Sequence, residues 1–251
     1  MKIGPVEDAL NKASSQTGTI CLSLLDSENI TPSSGAEIAK NAESSGVSGI
    51  LIGGSTITDQ TQLNLFVEQV KNKIKIPTIL FPGNITGVTP LADAILFTSL
   101  LNSDNPYFIT GAQALGAKAV KKHGIEALPT AYLIIGDGGT TGFIGQSRGI
   151  PPLKPEIAAM YALAAQYMGM RFLYLESGSG VTSHVPIDVI TTVRKVYDGF
   201  LITGGGIRDA ETAKKIAKTG TNAIVVGSLM ESETYKSILP EITTAIKKTS
   251  D

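Results

Sequence analysis

A chain of 251 residues with 42% apolar and 17% charged residues has the material for one well-cored globular domain, and this balance excludes a disordered chain. The net charge of −1 gives no footprint for nucleic acid, so any anion site must be built by local geometry. The single cysteine, Cys21, cannot form an internal disulfide and reads as a small buried hydrophobe in a reducing cytoplasm. Met1 to Ser15 lacks the apolar segment of a signal peptide, and no apolar run reaches the ~18 residues of a membrane span. The expectation is a soluble, cytoplasmic protein forming one domain over residues 1–251.

In chain order, Pro5 to Lys12 reads as a short amphipathic helix. Thr19–Leu25 reads as a buried strand with Asp26 directly after it. Ser34 to Ser45 is the next helix, with Ser33 or Ser34 as N-cap and Gly46 ending it. Gly49–Ile52 is the second strand, followed by Gly53-Gly54-Ser55-Thr56. Asp59 to Lys73 is a helix with Leu63, Phe66, Val67 and Val70 at helical spacing. After a third strand, Pro77–Phe81, the stretch Pro82 to Leu91 is rich in Gly, Pro and Thr. Pro and Gly oppose a helix by up to ~3 and ~1 kcal/mol each, so a degenerate third helix is expected. Ala94–Phe97 is the fourth strand, Gly111 to His123 a helix, and Thr130–Ile135 the fifth strand. Gly136 to Pro152 is the longest irregular stretch, where a functional loop is expected. Lys154 to Met168 is a helix entered through Pro155. Arg171–Glu176, Phe200–Ile202 and Ala223–Val226 complete the strands. Pro186 to Val196, Asp209 to Lys218 (capped by Asp209) and Glu231 to Lys247 complete the helices.

Eight continuous apolar strands alternating with helices predict a (β/α)8 TIM barrel, α/β in class, with a degenerate third helix. A doubly wound open sheet would more often carry a Gly-x-Gly-x-x-Gly turn after the first strand, and none is present.

In such barrels the active site lies at the C-terminal strand ends. That rule alone selects Asp26, Ser55, Glu176, Thr203-Gly204-Gly205 and Gly227-Ser228. The chain is most distinctive at Tyr174-Leu175-Glu176-Ser177-Gly178-Ser179-Gly180, where a carboxylate at a strand end meets a glycine-rich loop. Three successive strands ending in glycine predict an anion pocket made of backbone amides. A single such pair is an ordinary strand-to-helix turn; two on adjacent strands favour phosphate. Asp26 is a candidate Mg²⁺ ligand, since that cation takes oxygen donors. Glu176 is a candidate general base, because a partly dry carboxylate is shifted toward neutral pH. Arg208 serves either the anion or an acid on its own helix. Asp59 and Asp93 read as a cap and a loop acid, and His123 and His184 as surface residues without a metal or triad partner.

The segments Tyr174–Gly180, Gly204-Gly205-Gly206-Ile207-Arg208 and Gly227-Ser228 resemble the geranylgeranylglyceryl phosphate synthase family. So do Ile52–Ser55, Phe97–Ser103 and Lys154–Ala159, and the resemblance runs nearly the whole chain. It implies a prenyltransferase that joins sn-glycerol 1-phosphate to a polyprenyl diphosphate, the first ether bond of archaeal membrane lipid. Asp26 and Ser55 would bind Mg²⁺. Residues Tyr174 to Gly180, Gly204, Gly205, Gly227 and Ser228 would hold glycerol phosphate, and Glu176 would take the proton from its primary hydroxyl. An apolar groove for the prenyl tail is expected around Phe97, Leu100, Tyr107 and Phe108, with the Phe143-Ile144 loop. Geranylgeranyl diphosphate is the preferred donor by resemblance, and bacterial relatives use a longer one. The resemblance further implies a homo-oligomer, dimer or hexamer, for which the apolar helix Tyr161–Met168 is a candidate interface. Two departures stand out. Where the family often has Asp-Pro-Asp-Lys, this chain has Asp26-Ser27-Glu28-Asn29. Where it has Glu-Ala-Gly-Ser-Gly-Ala, this chain has Glu176 to Val181 with Ser177. The competing reading is a phospho-sugar isomerase using Asp26 and Asp137 at the ends of the first and fifth strands, and a non-catalytic phosphate or lipid carrier stands third.

Overall fold

The computed structural model describes residues 2–54 and 59–247. Among them, eight parallel strands close into a barrel in sequence order. The strands are β1 (Ile20–Asp26), β2 (Gly49–Gly54), β3 (Thr78–Pro82), β4 (Ala94–Leu100), β5 (Glu126–Gly138), β6 (Phe172–Ser179), β7 (Phe200–Gly204) and β8 (Ala223–Val226). The helices α1 (Pro5–Thr17), α2 (Pro32–Ser44), α3 (Gln60–Lys71), α4 (Ala112–His123), α5 (Gly139–Ile144), α6 (Pro155–Tyr167), α7 (Ile187–Arg194), α8 (Ala210–Ala217) and α9 (Tyr235–Ala245) surround it. The expected (β/α)8 barrel is the observed fold.

Strand alternation divides the core in two. Leu22, Leu51, Ile79, Leu96, Leu128, Phe172, Ile202 and Val225 fill the barrel, whereas Cys21, Ile50, Leu80, Ile95, Leu133, Leu173, Leu201 and Ile224 pack under the helices. Both faces of each strand are buried, so the strands read as unbroken apolar runs. Cys21 sits in the outer layer, and burial pushes its thiol up to about 12, which leaves it inert. Helix α1 plugs the N-terminal end: Val6 and Leu10 join the barrel core, and Glu126 accepts from the N–H groups of Val6 (2.7 Å) and Glu7 (2.9 Å). Arg171 grips the buried Glu7 carboxylate through Nε at 2.6 Å and Nη2 at 2.7 Å. The barrel is therefore open only at its C-terminal mouth.

Between β3 and β4 there is no α-helix, only a 3₁₀ turn, Ile85–Gly87, capped by Asn84, as the Gly/Pro-rich stretch predicts. Several boundaries differ from the sequence expectation; α1 runs on to Thr17, β4 to Leu100 and β6 to Ser179. The N-cap of α2 is Thr31, whose hydroxyl accepts from Ser34 N–H, with Pro32 as first helical residue, in place of Ser33 or Ser34. Strand β5 runs 13 residues, because polar Glu126 and the glycines to Gly138 pair with neighbours outside the apolar run. The stretch 136–152 carries α5, not only irregular chain. Ser228–Glu231 is a separate 3₁₀ turn, so the last helix starts at Tyr235, not Glu231.

Candidate active site

A cavity of about 360 Å³ occupies the open mouth. Its centre is Glu176, which the phase of β6 turns inward above Phe172 and Tyr174. The floor is an aromatic triad. Phe81 stacks on Tyr174 with centroids 5.2 Å apart, and Tyr132 stands edge-on to both at 5.6 and 5.2 Å. Glu176 is 6% exposed. Its Oε1 accepts from Gly178 N–H at 2.7 Å, and Tyr174 and Tyr132 line the cavity with it. Burial raises its pKa above the ordinary carboxylate value, and hydrogen bonding, that of Gly178 N–H first, opposes the rise without cancelling it. A buried carboxylate with raised proton affinity and ordered lone pairs is a competent base.

Around Glu176 the three glycine loops converge, and Gly178, Gly180, Gly205, Gly206, Gly227 and Ser228 all border the cavity, with Ser179 beside them. Gly205 has φ +84°, and a Cβ there would overlap Glu176 Oε1 and Ser177 Oγ, so only glycine lets the β7 loop lie on the base. Three residues of the expected binding set lie off the lining. Leu175 points into the outer core, Ser177 Oγ is buried without a partner, and Gly204 makes room for the Tyr174 hydroxyl. Gly206 and Ile207 border the cavity although position in the sequence did not select them. Arg208 neither lines the cavity nor pairs with an acid on its own helix; its Nη2 donates to Val181 O at 3.2 Å, steadying the loop after β6.

On the opposite rim, Asp26 accepts from Glu28 N–H (2.9 Å) on Oδ1 and from Asn29 Nδ2 (3.3 Å) on Oδ2. Burial first, then the charge of Glu28, raises its pKa against the backbone hydrogen bonds. Glu231 borders the same rim; burial and the charge of Asp26 raise its pKa. Asn29, at the position where the resemblance leads one to expect lysine, is thus a neutral donor to Asp26 on a rim that also carries Glu231. Ser55 lies outside the described residues. Among the described residues no three His, Cys, Asp or Glu side chains gather to hold a metal.

From the base, an apolar branch of the cavity runs outward between β4, α4 and the 3₁₀ turn, through the gap left by the missing helix. Ile85, Val88, Ile95, Phe97, Phe108 and Val120 line it, with Leu100 and Ile144 nearer the mouth. Tyr107 does not line it: its hydroxyl donates to Asn84 Oδ1 at 2.6 Å, and its ring stands edge-on to Phe108. Phe143 is 86% exposed and faces away.

Asp137 is exposed, accepts among the described residues from Gly139 N–H (3.1 Å), and is absent from the lining, so the acid pair needed by the isomerase reading is not assembled. Asp59 caps α3, and Asp93 binds Lys71 and Thr78 in the turn that enters β4. His123 is exposed and His184 meets Val185 O. Tyr132, Thr141 and Glu231 are site residues that reading strand ends missed. Tyr132 was within reach of the alternation rule, since it shares the inward phase of Leu128 and Ile134 and pairs in register with Tyr174.

The PcrB family matches residues 16–247. The chain is 53% identical over 243 residues to a geranylgeranylglyceryl phosphate synthase of Nitrosopumilus maritimus, covering 97% of each. It is 53% identical over 229 residues to that of Cenarchaeum symbiosum, covering 91% of this chain and 93% of the relative. The crystal structure of (S)-3-O-geranylgeranylglyceryl phosphate synthase from Thermoplasma acidophilum with its substrate sn-glycerol-1-phosphate superimposes with a TM-score of 0.93 at 36% identity, covering 99% of this chain and 100% of that one. With Glu176, the glycine loops and the apolar branch in one cavity, and with matches over nearly the full length, the chain belongs to the PcrB family, among the geranylgeranylglyceryl phosphate synthases.

Proposed function

We propose that this protein is a prenyltransferase that joins sn-glycerol 1-phosphate to geranylgeranyl diphosphate, the first committed step of archaeal ether-lipid synthesis. One observation carries the reading: a single buried carboxylate stands where backbone-amide loops meet an apolar branch. The loops at Gly178–Gly180, Gly205-Gly206 and Gly227-Ser228 suit a phosphate, and the branch past Phe97 and Phe108 suits a prenyl tail. Bound between them, the primary hydroxyl of glycerol phosphate meets Glu176. The base takes its proton, the oxygen bonds to the allylic carbon, and the carbon–oxygen bond to diphosphate breaks with the electron pair leaving on diphosphate. Holding both reactants in one cavity supplies the orientation.

The rim acid fits a Mg²⁺ ion. Asp26 offers a carboxylate, and Glu231 a second one beside it, a hard-oxygen set of the kind that cation takes. Mg²⁺ there would neutralise charge on the departing diphosphate. Ser55 is the second ligand on the family resemblance.

The test is turnover of sn-glycerol 1-phosphate with geranylgeranyl diphosphate, with and without Mg²⁺, beside sn-glycerol 3-phosphate and a longer prenyl donor. Mg²⁺-dependent ether formation from the 1-phosphate alone is expected; no product with any donor refutes the reading. Faster turnover with the longer donor would make the protein a synthase of that longer ether.

Self-association is proposed on a patch that α6 and its flanks leave exposed: Leu153, Met160, Tyr167 and Met168. A mass in solution of two or six chains is expected, and a monomer would reject it. Among the described residues no helix is long and apolar enough to cross a membrane.

A further inference from the structure

The apolar branch leaves the barrel through the flank where the third helix is missing, and that flank has a chemistry of its own. Thr78 to Ala92 contains no charged residue. In this stretch the 3₁₀ turn presents Ile85 to both sides: it lines the branch and is 40% exposed at the surface. Leu91, farther along, is exposed as well. Helix α4 forms the neighbouring wall, with Ile85 Cγ2 3.9 Å from the Cβ position of Gly116. Exposed apolar surface is therefore continuous, through Ile85, with the interior of the branch.

Helix α4 turns Gly116 and Val120 to the branch. Its 3.6-residue period then places Leu115, Lys118 and Lys122 together on the outer face. Leu115 is 64% exposed, and Lys118, Lys121 and Lys122 are exposed. No acid lies between Asp104 and Glu126, so the helix carries cations and no anion in a chain whose net charge is −1. Among the described residues none of these lysines enters an ion pair. Two copies meeting through this face would bring like charges together, which argues against a second copy as its occupant. An anionic lipid surface matches both parts: apolar side chains enter the acyl boundary, and ammonium groups meet headgroup phosphates.

We propose that the flank formed by the 3₁₀ turn and the outer face of α4 docks on a bilayer with anionic headgroups. Ile85, Leu91 and Leu115 sit at the acyl boundary, and Lys118, Lys121 and Lys122 sit on the phosphates. The surface stands on the observations above. Its use, passing a polyprenyl tail between bilayer and branch without crossing water, rests on the prenyl-transfer reading.

The experiment is flotation of the full chain with vesicles of phosphatidylglycerol mixed into phosphatidylcholine, and with vesicles of phosphatidylcholine alone. Binding to the anionic vesicles is expected, weakening as salt is raised. Lys118→Gln combined with Lys122→Gln is expected to lower that partition about thirtyfold. Leu115→Gln is expected to lower it about tenfold. None of these side chains lines the cavity, so turnover with a ten-carbon donor free in solution is expected to stay at the wild-type rate. Turnover with geranylgeranyl diphosphate presented in the anionic vesicles is expected to fall with binding. No binding to the anionic vesicles, binding that the variants leave unchanged, or a variant effect confined to the mass in solution overturns the proposal. Flotation needs no turnover, so a chain that floats as expected but makes no ether would refute the prenyl-transfer reading and leave the docking surface standing.

Discussion

Gly205→Ala tests the packing of the phosphate loop on the base more directly than deletion of the base would. Two costs combine at this position. The residue has φ +84°, where an L side chain costs about 1–2 kcal/mol. The new methyl would also occupy the space of Glu176 Oε1 and Ser177 Oγ. Glu176 cannot retreat, because Tyr174 and Tyr132 lie beneath it, so the loop or the carboxylate must shift. A misplacement of about 1 Å in a reacting group costs on the order of a hundredfold in rate. Gly124 provides the control: it caps α4 at φ +68° with no atom within 4 Å of its Cβ position, so alanine there carries the backbone cost alone. Gly124→Ala is expected to lose about 1–2 kcal/mol in urea unfolding, a fall of about 2–8 °C in melting temperature for a chain of this size, and Gly205→Ala at least as much. Only Gly205→Ala is expected to lose turnover, on the order of a hundredfold. Turnover of Gly205→Ala within a few-fold of wild type would refute the argument that this glycine seats the base.

The other predictions follow from the cavity's three parts. Burial raises the Glu176 pKa, so the ionised carboxylate weakens the native state above that raised pKa, and the penalty vanishes below the ordinary carboxylate value. Glu176→Gln should therefore abolish turnover yet melt higher than wild type at neutral pH, with the gap closing on acidification; equal melting curves at both pH values would contradict this. Gly116 borders the apolar branch inside α4, and a Cβ there would meet only Ile85 Cγ2 at 3.9 Å. Gly116→Leu should fill the branch, cut use of the geranylgeranyl donor well below that of a ten-carbon donor, and stabilise the helix by up to ~1 kcal/mol; unchanged donor preference would remove the branch as the tail site. Asn29→Lys would put a cation between Asp26 and Glu231. It should raise the half-saturating Mg²⁺ concentration about threefold or more and leave KM for glycerol phosphate unmoved, whereas unaltered Mg²⁺ dependence would separate Asp26 from the metal.

What the sequence makes legible here follows from how each feature is encoded. The barrel is written locally: each strand is a buried run such as Ala223–Val226, and Asp209 marks its helix with a side chain that accepts from Thr212 N–H. The missing third helix is equally local, since it needs only Pro and Gly in one stretch. Glu176 and the glycines were legible because strand ends share one mouth, so position along the chain converts to position in the site. Glu231 and Thr141 escape that conversion. Glu231 sits five residues beyond its strand, at the end of a 3₁₀ turn that looks like the start of the last helix, and its significance depends on Asp26 about two hundred residues away. Thr141 lies in a stretch of small residues whose only virtue is backbone contact with β6, and contact between Gly138 and Gly178 leaves no periodic mark. Parity along a strand tells which residues face the cavity; which of those hold one another is decided by register between strands. Tyr132 opposite Tyr174, and Glu176 opposite Gly204, exist as pairs only once the barrel has closed. The base can be named from one strand, but the glycine and aromatic rings that seat it, Gly205, Phe81 and Tyr132, come from three other segments of chain.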